Sequence, residues 1–141
     1  MKLAAVLLVA SALFAQQPTV HAPSNLAVTA LSATNAAVTA TLPAVAGQFH
    51  YITAIIVTRS CATALTGSAI LAITTTNLPG SLAFTAGNAC AVGTTNNDVV
   101  WMLSAPLQSS VVNTATTVVC PAAGAAVVCR ITVVYFTGPL L

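Results

Sequence analysis

The residues able to do chemistry in this chain are few. Beyond position 22 the titratable side chains are His50, Asp98, Arg59, Arg130, Tyr51, Tyr135 and the cysteines Cys61, Cys90, Cys120 and Cys129. Acid–base catalysis needs positioned groups that exchange protons, and nucleophilic catalysis needs a marked nucleophile. His50, Asp98 and a serine would supply the types for a triad, but no G-x-S-x-G elbow marks a nucleophile, so no catalytic residue is assigned and no enzyme is expected. A metal centre needs close Cys-x-x-Cys pairs or neighbouring histidines; the cysteine spacings of 29, 30 and 9 give neither, so no metal and no cofactor are expected.

Four cysteines behind a secretion-like amino terminus instead point to disulfides. Three connectivities are open to them, and locality favours Cys120 with Cys129, leaving Cys61 with Cys90. The segment at 114–136, TATTVVCPAAGAAVVCRITVVYF, reads as two β-branched strands around a small-residue loop, a hairpin stapled at its neck. Its second strand alternates Ile131, Val133 and Tyr135 with Thr132, Val134 and Phe136, so both faces are largely apolar and both call for cover.

The chain has 141 residues, 57% of them hydrophobic and only 3% charged, where roughly a quarter is ordinary. Little charge leaves little to keep separate particles apart, so association with copies of itself is expected. The net charge of +2 offers no basic patch, which argues against a nucleic-acid partner. Arg59 and Arg130 stand near cysteines at strand ends and, with Tyr135 and Trp101, are candidate subunit contacts. His50 reads as a structural residue with a partly exposed ring, Asp98 as a turn residue, and Trp101 as a core residue.

Lys2, an apolar run at 3–14 and the Val20-His21-Ala22 pattern resemble a secretory signal peptide. Because Pro23 follows directly, cleavage after Ala15 or a retained arm over 1–22 stays open. The run is too short for a membrane-spanning helix. Residues 23–141 read as one β-sandwich domain of about eight short strands, antiparallel, jelly-roll-like or Greek-key, with strands at 25–30, 36–42, 50–58, 69–74, 81–85 and 99–103 before the closing pair. Pro106 is expected to end the strand that carries Trp101, and Asn96, Asn97 and Asp98 to form a turn before it.

The segment AVAGQFHYI at 44–52, leading into a strand that ends at Val57-Thr58, and Asn113-Thr-Ala115 before the last strands, resemble small tailed-phage virion proteins. The resemblance covers residues 36–136. It implies a structural role as a capsid decoration, head-fibre or tail-associated protein, often trimeric, with a capsid protein or further copies as partners and the virion as location. An exported filament or surface-layer subunit is the alternative, with residues 23–43 donated as a strand to the next copy. A secreted carbohydrate-binding module is a third, and it would need Trp101, Tyr51 and Tyr135 on one exposed face.

Overall fold

The computed structural model describes residues 24–64, 70–87, 90–93 and 95–140, with the side chains of 70, 81, 86, 87 and 96–98 left aside. The expected signal peptide or arm at 1–22 lies outside the described residues. Eight strands follow one another: β1 (Leu26–Leu31), β2 (Val38–Leu42), β3 (Phe49–Cys61), β4 (Ile70–Thr76), β5 (Ala83–Gly87), β6 (Thr95–Gln108), β7 (Thr116–Cys120) and β8 (Val127–Gly138). The only helical piece among the described residues is a 3-10 turn at Pro79–Ser81.

The strands form two four-stranded antiparallel sheets, in the order β1-β8-β3-β6 (sheet A) and β2-β7-β4-β5 (sheet B). The pairs nest: β4 with β5, β3 with β6, β2 with β7 and β1 with β8. Rolling that long ribbon on itself adds the pairs β3 with β8 and β4 with β7, which is the connectivity of a jelly roll. The expected all-β sandwich is therefore present, and of the two topologies named for it the jelly roll is the one formed.

The expected closing hairpin is not formed. Thr116–Cys120 lies in sheet B beside β2 and β4, whereas Val127–Gly138 lies in sheet A between β1 and β3. Residues 121–126 therefore cross from one sheet to the other. Alternation and a disulfide-compatible loop look the same for a hairpin and for a sheet-to-sheet corner, because both need period two and two inward cysteines. Cys120 and Cys129 are both buried, and their bridge spans the sandwich with Cα atoms 6.7 Å apart.

The core lies between the sheets. Val127, Cys129, Ile131, Val133 and Tyr135 of β8 face Leu42, Val118 and Ile73 of sheet B, all buried. Alternate positions of each strand point out, as the pleat requires. In β3, Thr53 is an extra residue against β8, so the inward set steps from Ile52 to Ile55.

Strand β6 runs further than its apolar stretch. Asn96, Asn97 and Asp98 belong to it rather than to a turn, with Asp98 the extra residue where the pairing steps from Val57–Val99 to Thr58–Asn97. Pro106 also lies inside it. A proline is tolerated there because β6 is an edge strand, and because residues 103–106 bulge out between the pairs Ile52–Leu107 and Ala54–Met102.

Candidate functional site

The triad types do not meet. His50 is at the beginning of β3, and Asp98 enters β6 opposite Val57 and Thr58, about 26 Å further along at 3.3 Å per residue. His50 is buried rather than partly exposed, a correction to the expectation from its place at a strand start. Its Nε2–H donates to the Pro43 carbonyl at 2.9 Å, and Nδ1 pairs with the Thr116 hydroxyl at 2.9 Å. The backbone amide of His50 donates to Ser109 Oγ at 3.0 Å, while the Ser109 amide donates to the His50 carbonyl at 2.8 Å.

Asn77 extends this polar network. Its Nδ2 donates to the carbonyls of Val111 and Thr114, both at 3.1 Å, and to Thr116 Oγ1 at 3.2 Å; its Oδ1 accepts from the Val111 amide at 2.7 Å. Asn77 holds a left-handed φ of 56°, a conformation asparagine tolerates. These bonds tie together the loops at 43–48, 77–82 and 109–116. The arrangement closes one end of the sandwich and leaves no buried side-chain donor or acceptor unpaired among the described residues.

The disulfide Cys61–Cys90, with Cα atoms 6.2 Å apart, and the disulfide Cys120–Cys129 lie at the other end. The pair expected from locality is formed, and so is its complement. Two disulfides fit an oxidising compartment. Among the described residues no three His, Cys, Asp or Glu side chains are grouped to hold a metal ion, and no helix is long and apolar enough to cross a membrane.

The candidate subunit contacts divide. Arg59 faces the core between Val57 and Cys61 and is 1% exposed, so its side chain is not offered to a neighbouring subunit. Tyr135 is 5% exposed, edge-on to His50 at a ring separation of 5.7 Å. Both belong to the inward set of their strands, so neither is available as a surface contact. Trp101 pairs with Ile55 and meets Phe84 of β5 at 5.1 Å, linking the edge strands of the two sheets. Arg130 alone of the four is exposed.

These positions also break up the aromatic platform. Tyr51 is buried, stacked on Phe136 at 5.0 Å, with its hydroxyl donating to the Pro139 carbonyl. Trp101, Tyr51 and Tyr135 therefore share no exposed face. Residues 23–43, expected as a donated strand, are used at home: β1 pairs with β8 and β2 with β7.

What distinguishes the surface is a difference between the two sheets. Sheet B presents threonine outward, at Thr39, Thr41, Thr74, Thr76, Thr85 and Thr117, all exposed or half-buried. Sheet A is divided: one half of its outer face presents Ile56, Val100, Met102, Val134 and Phe136, and the other presents Thr29, Thr58, Ser60, Thr95, Arg130 and Thr132 beside Leu31. Val100 is 57% and Met102 68% exposed, on the regular stretch of β6 between its two bulges. The sequence shows alternation in both sheets, but which alternate set faces outward follows only from the pairing. Compared with protein-family models and with curated proteins, the chain matches none.

Proposed function

We propose that this protein is a structural assembly subunit, of the virion decoration or fibre type, that packs the outer face of sheet A against copies of itself or a capsid lattice. The observation that carries the reading is the apolar half of sheet A's outer face, at Ile56, Val100, Met102, Val134 and Phe136, set against the threonine face of sheet B. Clustered exposed apolar side chains on a chain that is 3% charged favour burial against a partner. The jelly-roll connectivity adds an analogy, since capsid and lectin domains share it, and analogy of fold is weaker than the face itself.

The two disulfides favour an extracellular or cell-surface setting for such an assembly, so an exported surface-layer or filament subunit is the second reading. In that reading the same face forms the contact, because residues 26–42 are already paired within the domain. Light scattering coupled to size exclusion tests both. A defined oligomer at micromolar concentration is expected, and a monomer over that range overturns packing against copies of itself.

A further inference from the structure

The geometry points to a binding site for a tetrahedral oxyanion group, a sulfate or phosphate, centred on Arg130. A shallow depression of about 140 Å³ opens on the outer face of sheet A, lined by Leu31, Thr58, Ser60, Thr95, Val128 and Arg130. The strand register brings these residues together. Arg130 stands opposite Thr58, and Ser60 stands opposite both Val128 and Thr95. Such cross-strand neighbours on one face lie about 5 Å apart.

Some hydroxyls of the fold have protein partners, while others on its surface, such as Thr39, Thr41 and Thr74, face solvent. Thr29 pairs with Thr132, Thr76 with Thr117, Thr75 donates to the Leu82 carbonyl and Thr53 to that of Val134. In the depression the side chains of Thr58, Ser60 and Thr95 converge on Arg130, and none of the four has a hydrogen bond or ion pair among the described residues. Three hydroxyls can turn to donate, and the guanidinium adds a positive charge with a fixed fork of N–H groups. Leu31 and Val128 complete the rim of a lining that is otherwise hydroxyl and guanidinium.

Size selects the ligand. The depression is smaller than the ~300–1,000 Å³ of sites that enclose a whole small molecule, and it suits one oxyanion group with the rest of its carrier outside. This inference does not rest on the assembly reading.

The test is titration of the isotope-labelled, disulfide-intact protein with sodium sulfate and sodium phosphate at constant ionic strength. It is followed by NMR at the Arg130 Nε–H and at the amides of Thr58, Ser60 and Thr95. Saturable shifts confined to these signals are expected, with sodium acetate and sodium chloride giving none that saturate. R130Q is expected to weaken sulfate binding at least ~10-fold, R130K less, and the T58V/S60A pair several-fold. An aryl sulfate ester binding more tightly than inorganic sulfate identifies a group on a larger ligand; weaker binding identifies the free ion. Linear shifts equal to those with chloride, or an R130Q variant that titrates like the parent, overturn the site.

Discussion

Cys120 and Cys129 are nine positions apart in sequence and belong to different sheets, so the bridge between them pins β7 of sheet B to β8 of sheet A across the core. The Cys61–Cys90 bridge is separated by 29 positions and closes the longer loop. In the chain-entropy account the two loops contribute about 2.6 and about 3.6 kcal/mol respectively.

Replacing each cysteine pair by alanine therefore lowers unfolding free energy by these amounts, more for Cys61 with Cys90. Denaturant unfolding of the two double variants measures both. Alkylation before and after reduction, read by intact mass, is expected to label no cysteine of the native protein and all four of the reduced one. Labelling without reductant contradicts the pairing.

His50→Ala removes both ring hydrogen bonds and leaves the Pro43 carbonyl and the Thr116 hydroxyl without their partner in a buried setting. A loss of about 2–4 kcal/mol is expected in chemical denaturation. His50→Asn recovers part of this only if its amide reaches one of the two partners. A variant as stable as the parent would show that the ring bonds contribute nothing net.

At Asn77 two contributions separate. Asn77→Gly keeps the left-handed backbone accessible and loses only the side-chain bonds, whereas Asn77→Ala loses the bonds and strains a φ of 56°. Alanine is expected to be less stable than glycine by about 1 kcal/mol, and both less stable than the parent. Thermal unfolding of the pair decides it. Equal stability of the two variants would remove the backbone contribution.

Met102→Lys and Val100→Lys place charge on the exposed part of β6 without touching the core. Their effect on monomer unfolding is expected within about 0.5 kcal/mol. Their effect on association is expected to be large, with the oligomer dissociating at concentrations where the parent remains assembled. A threonine on sheet B, Thr74→Lys, serves as the control and is expected to leave association unchanged. Dissociation by the sheet B variant alone would move the interface to the other face.

The strands were largely legible because they carry a period-two pattern, as at Val38–Leu42, or an apolar β-branched run, as at Phe49–Cys61, bounded by turn residues. The partners of those strands were not. Cys120 and Cys129 look like a hairpin neck in one dimension, and only the competition of β2 and β4 for β7, and of β1 and β3 for β8, turns the loop into a crossing. Arg59 likewise reads as a surface charge until the Thr53 bulge sets which alternate positions of β3 face the core. The depression at Arg130 was illegible for the same reason: its lining comes from four strands distant along the chain, and no local motif joins them.

The nesting of the strand pairs has a consequence for the order of events during synthesis. Strands β4 and β5 can zip as soon as both have been made, but β1 finds its partner only in β8, with Leu26 waiting for Tyr135. Of these eight strands the first to be made is thus the last to be matched, and its edge stays open until β8 has been made. A chaperone that holds extended segments would find its longest-lived target at residues 26–31.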